Sequence, residues 1–129
     1  MTRTRTFKHA PESVTAARRF ATETLRASPA ELIEVVELMV SELATNCIRH
    51  THSGFDLTIK QSTKEILVEA TDHSGGAPRM RSPKPTDPNG RGLRIIDMLS
   101  AAWGVEQRSG KGKTVWFTVS TERAGAGVR

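Results

Sequence analysis

Glu42-Leu43-Ala44-Thr45-Asn46-Cys47-Ile48-Arg49-His50 is the stretch from which the rest of the chain can be read. At about 3.6 residues per turn, Glu42, Asn46 and His50 stack in one row of a helix. The row overlaps the apolar stripe of Leu32, Val35, Val36, Met39 and Leu43. A carboxylate, an amide or an imidazole buried without a partner costs on the order of 2 kcal/mol or more. A polar row on a core-facing stripe therefore predicts a face that lines a pocket for a polar ligand. For any one of the three residues, a satisfied internal hydrogen bond is the plainer reading. Three in register, followed by an aspartate-glycine turn and a Gly-Arg-Gly turn, favour the pocket.

The helix that carries this row starts at Ser28-Pro29-Ala30-Glu31. Serine as N-cap, proline at the first helical position and glutamate three residues after the cap make a capping box. The helix runs to about Thr51 and ends at Thr51-His52-Ser53-Gly54, where glycine can take the left-handed turn. Upstream, residues 4 to 9 read as a short strand. A first helix spans about Glu12 to Arg26, with Val14, Ala17, Ala21 and Leu25 on its apolar face. Downstream, Phe55, Leu57 and Ile59 alternate with polar residues, and Ile66 to Thr71 follows a turn at Ser62-Thr63-Lys64-Glu65, which predicts a hairpin.

From His73 to Asn89 the glycines and prolines, Gly75, Gly76, Pro78, Pro83, Pro85 and Pro88, exclude regular helix or central strand. Long structureless loops are uncommon in compact domains and usually functional, so residues 73–89 read as a lid. Leu93, Ile96 and Leu99 mark a short helix opening right after Gly92. Trp103 and Val105 form a strand, Ser109-Gly110-Lys111-Gly112 a turn, and Thr114 to Ser120 the last strand, before a frayed tail from Glu122 to Arg129. This order predicts an α+β fold: a two-layer sandwich with one mixed, mostly antiparallel sheet and helices on one face.

At 129 residues the chain fits one domain. With 36% apolar and 26% charged residues and no apolar run near the roughly 20 residues of a membrane span, it reads as soluble, and the basic N-terminus lacks an apolar signal segment. The expected location is the cytoplasm. Cys47 is the single cysteine, without a partner for a disulfide or a metal site, and reads as a small packing residue. A net charge of +5 invites a nucleic-acid partner. Scattered basic residues and 5% aromatics argue against direct nucleic-acid binding, and fit a nucleotide triphosphate or an acidic protein surface equally well.

Three constellations carry chemistry. Glu42 and Asn46 set a carboxylate and an amide oxygen side by side, which suits a hard cation with open positions for phosphate and water. Asp72 ends a buried strand and enters Gly75-Gly76, where its carboxylate can accept a hydrogen bond from an exocyclic amine; turn chemistry alone also explains an aspartate there. Gly90-Arg91-Gly92-Leu93 opens a helix, whose free N–H groups bind phosphate, with Arg91 adding a cation.

In order and spacing these motifs resemble the GHKL superfamily of ATP-binding domains, and within it the stand-alone anti-sigma factor kinases of bacteria. The family's Glu-x-x-x-Asn-x-x-x-His helix is matched by Glu42, Asn46 and His50, its Asp-x-Gly-x-Gly turn by Asp72 and Gly76, its Gly-x-Gly-Leu turn by Gly90, Gly92 and Leu93, and its final Gly-x-Thr by Gly112 and Thr114. Ser74 departs from the pattern at the first glycine of the second motif. Arg49-His50, Trp103-Gly104 and Thr114-Val115-Trp116-Phe117 are similar to the small actinobacterial members, and the likeness covers about residues 5 to 120. It implies a Bergerat-type fold, ATP and Mg²⁺ as cofactors, and a serine/threonine protein kinase. In that role Asn46 would hold Mg²⁺, Asp72 the adenine amine, Thr114 the adenine through water, and Gly90 and Gly92 the phosphates. His50 and Arg91 would be phosphate contacts and Glu42 the general base. It also implies a homodimer, with a sigma factor and an antagonist protein as partners. A module that binds nucleotide and partner without phosphoryl transfer is the alternative.

Overall fold

The computed structural model describes residues 1–73, 88–108 and 112–122, of which 88–92 and 108 are described by their backbone alone. In chain order the elements are β1 (Thr2–Phe7), α1 (Glu12–Thr24), α2 (Ala30–His50), β2 (Phe55–Gln61), β3 (Glu65–Asp72), α3 (Pro88–Leu99), β4 (Ala102–Arg108) and β5 (Gly112–Ser120). The strands form one sheet in the order β1-β2-β3-β5-β4. Every pairing is antiparallel, so the sheet expected to be mixed has no parallel pair among the described residues.

The alternation that predicted the hairpin also selects the buried face. Phe55, Leu57 and Ile59 of β2, Ile66, Val68 and Ala70 of β3, and Val115, Phe117 and Val119 of β5 are all buried. In register, Leu57 stands opposite Ala70 and Ala70 opposite Val115, which makes this one continuous apolar surface. Onto it α2 lays Leu32, Val36, Met39, Val40, Leu43, Ala44 and Cys47, and α1 lays Ala17, Phe20 and Ala21. Helix α2 is central, packed against both α1 and α3. Arg18 Nη2 donates to Glu37 Oε1 at 2.8 Å, and Thr22 Oγ1 lies 3.1 Å from Glu37 Oε2, tying α1 to one flank of α2. Helix α3 is tied to β4 by the Trp103 indole N–H, which donates to Asp97 Oδ1 at 2.8 Å. No helix among the described residues is long and apolar enough to cross a membrane.

Three further expectations are corrected. The first strand spans Thr2–Phe7 rather than 4 to 9, because its pairing with β2 ends at Phe7 opposite Phe55 and the chain then turns, with Ser13 Oγ donating to the Lys8 carbonyl at 2.7 Å. The capping box at Ser28 does not form. Its hydroxyl accepts a hydrogen bond from Gln61 Nε2 at 3.0 Å, Pro29 becomes the cap without a side-chain bond, and the helix starts at Ala30. Finally, α3 opens at Pro88, not after Gly92, so Gly90 and Gly92 belong to the helix itself. Proline is accepted at a first helical position because the missing N–H would have no intrahelical partner there.

Candidate functional site

Around α2, at about 100° per residue, Glu37 points to α1 while Glu42 and Asn46 lie on the other flank. The polar row thus borders the buried stripe instead of overlapping it. Glu42 and Asn46 are half-buried and His50, at the last residue of the helix, is exposed. Among the described residues neither the Glu42 carboxylate nor the Asn46 amide has a hydrogen-bond partner, whereas the glutamate on the opposite flank is fully engaged. A half-buried carboxylate and amide oxygen one turn apart, both facing away from internal partners, present the hard-oxygen donor set that suits Mg²⁺.

Asp72 closes β3 on the helix side of the sheet and is 2% exposed. The Lys113 backbone N–H donates to its Oδ1 at 3.4 Å. Gly112, next to it, has φ of +86°, and a Cβ there would collide with the Asp72 carbonyl oxygen and Oδ1. Glycine at 112 is therefore what lets β5 start against the aspartate. Cys47 of α2 lies over this end of the sheet. Its thiol is pushed up to about 12, chiefly by burial and further by the Asp72 charge, with Lys113 pulling the other way. Asp72 and Lys113 thus stand side by side at one corner of the sheet, on the face against which α2 packs.

Thr114 is buried but is not brought to the Asp72 side chain. It stands opposite Thr71, their hydroxyls 2.8 Å apart, and adjacent residues of a strand project to opposite faces. The residue that shares the face of Asp72 is Lys113, one step beyond that pair. Sequence reasoning missed Lys113 because the parity of β5 against β3 is needed to see it; the Gly112 turn was the available signal. His73 continues from Asp72, anchored by its N–H to the Gly54 carbonyl at 3.2 Å and with Nε2 3.1 Å from Asp56 Oδ1.

Helix α3 brings Gly90, Arg91 and Gly92 into its first turns, where by helix geometry the leading N–H groups have no intrahelical acceptor. Leu93 packs half-buried against the core. Ser74, Gly75, Gly76 and the rest of the lid up to residue 87 lie outside the described residues, as do residues 109–111 of the last turn.

A layer of helices thus stands on an antiparallel sheet, with a buried aspartate at the end of β3 and a Glu/Asn pair on the flank of α2 away from α1. Residues 7–119 match the model of the histidine kinase-like ATPase domain, and the chain belongs to that family. Among solved structures, the crystal structure of full-length ShkA in complex with AMPPNP is similar in fold, with a TM-score of 0.56 and 21% identity, covering 85% of this chain and 30% of that one. The chain thus spans less than a third of ShkA's length. No curated protein matches it.

Proposed function

We propose that the protein is a regulatory serine/threonine protein kinase of the anti-sigma factor type, which transfers the γ-phosphoryl group of ATP to a hydroxyl of an antagonist protein and so controls a sigma factor. The observation that carries this reading is the Glu42–Asn46 pair, half-buried on the flank of α2 away from α1 and without a hydrogen-bond partner among the described residues. Asn46 would hold Mg²⁺, which would supply neutralising charge to the phosphates. Asp72 would take the adenine amine, and the first turn of α3 the phosphate oxygens. Glu42, one turn from Asn46, accepts the proton of the incoming serine or threonine hydroxyl as its oxygen bonds to the γ-phosphorus and the bond to the ADP oxygen breaks. A homodimer and a cytoplasmic location belong to the same reading.

The test is to incubate purified protein with Mg-ATP labelled at the γ-phosphate and small candidate antagonist proteins from its host. Transfer by the wild type, abolished in Glu42→Ala while ATP still binds, is the expected result. ATP binding without transfer to any candidate would sink the kinase reading in favour of the nucleotide-gated module, in which Glu42→Ala leaves partner control intact.

A further inference from the structure

The partner of Asp72 on its own face of the sheet is a lysine. Lys113 is half-buried in β5 one step beyond the Thr71–Thr114 pair, and its backbone N–H is already committed to Asp72 Oδ1. Its ammonium makes no ion pair with any described residue, although Lys60 on the opposite face is paired with Glu69 at 3.4 Å. Strand parity turns the Lys113 side chain to the helix side of the sheet, the face that carries Asp72 and against which α2 packs. An acceptor-only carboxylate and a donor-only ammonium on neighbouring strands of one face form a two-point reader of a flat heterocycle. Purines carry that complementary pattern, an exocyclic amine next to a ring nitrogen acceptor.

We propose that Lys113 is a base-reading residue of the nucleotide site, donating to a ring nitrogen of adenine while Asp72 accepts from the amine. This rests on the ATP-binding reading above and extends it from the adenine amine to a ring nitrogen of the base. One strand pairing then sets both recognition points: the Gly112 turn fixes the distance of β5 from Asp72, and strand parity turns residue 113 inward.

The test is titration calorimetry of ATP, 1-deaza-ATP and 7-deaza-ATP, each with Mg²⁺, into the wild type and into Lys113→Met. Methionine keeps the backbone N–H to Asp72 and a stem of similar length, and a melting curve checks that the fold is kept. A lost hydrogen bond to a charged donor corresponds to about tenfold or more in affinity. The expected result is that the wild type discriminates against one of the two deaza nucleotides by about that factor, and that Lys113→Met weakens ATP to the same level and loses the discrimination. Lys113→Gln, which retains a neutral donor, should recover part of it. Equal weakening of all three nucleotides in Lys113→Met would assign the lysine to the phosphates and overturn the proposal, as would no change at all. If the folded wild type binds none of the three, the ATP reading fails and takes this one with it, a result distinct from either of the others.

Discussion

Gly112 holds a backbone position that no other residue can take without strain, and the obstacle is the site itself. With φ at +86° and Asp72 where a Cβ would stand, Gly112→Ala is expected to destabilise the fold by about 1–3 kcal/mol and to displace Asp72. Chemical denaturation should show the first effect and weakened nucleotide binding the second. Cys47, under the same corner, gives a prediction at alkaline pH. Its thiol is raised from an ordinary value of 9.0 to about 12 in the folded chain. A raised pKa means a stabilising contribution that is complete below the unfolded value and is lost as pH rises toward the folded one. Stability should therefore fall between about pH 9 and pH 12, and Cys47→Ala should make that decline shallower, as read from melting temperatures across the range. At neutral pH the thiol should resist alkylating reagents until the protein unfolds.

Among the elements, α2 was legible because its period is long and its apolar residues are large; the row of Glu42 and Asn46 followed from spacing alone. What spacing could not give was the angle of that row to the core, since the stripe's centre depends on where α1 and α3 pack. The cap at Ser28 was misread because its competitor, Gln61, sits 33 residues away, and a local motif carries no information about a distant amide. Helix α3 was shortened because Pro88 looks like a breaker from outside the helix and is a good first residue from inside it. Thr114 and Lys113 were separated only by strand parity, which a single strand does not disclose. The α1–α2 tie also yields an expectation. The Arg18 guanidinium holds the Glu37 carboxyl below its usual range; burial opposes it, and the Thr22 hydrogen bond and the Arg18 charge add smaller lowering effects. A lowered pKa gives stabilisation that is present above the ordinary glutamate value and is lost as pH falls through the folded one. The pair is partly exposed, so Glu37→Gln should cost at most about 1 kcal/mol at neutral pH. That difference should shrink in acid, measured by parallel denaturant curves at neutral pH and near pH 3.

At the scale of the whole molecule, sheet and helices are joined by one core, yet the corner at Asp72 is shared among α2, β3 and β5, so a nucleotide bound there would tie helix layer to sheet. Binding to the folded state alone raises stability by about 2.7 kcal/mol at a hundredfold excess over Kd. On the proposed reading, in which Asn46 holds Mg²⁺ and Glu42 serves the acceptor hydroxyl, Mg-ATP should therefore raise the melting temperature of the wild type and of Glu42→Ala equally. Asp72→Asn should abolish the rise. A rise in the wild type that disappears in Glu42→Ala would mean that this carboxylate helps to hold the nucleotide.

The bond from the Trp103 indole to Asp97 has an optical consequence. Trp103 and Trp116 are the two tryptophans of the chain, and they differ in what surrounds them: Trp116 lies against the backbone of Gly104 within the sheet, while Trp103 is fastened to the helix whose opposite end carries Gly90 and Gly92. Indole emission responds to the loss or gain of a charged hydrogen-bond partner. With Trp116 replaced by phenylalanine, the remaining fluorophore becomes a built-in gauge of α3: any tilt of that helix on ligand binding would change the colour of the protein's own fluorescence, in real time and without a label.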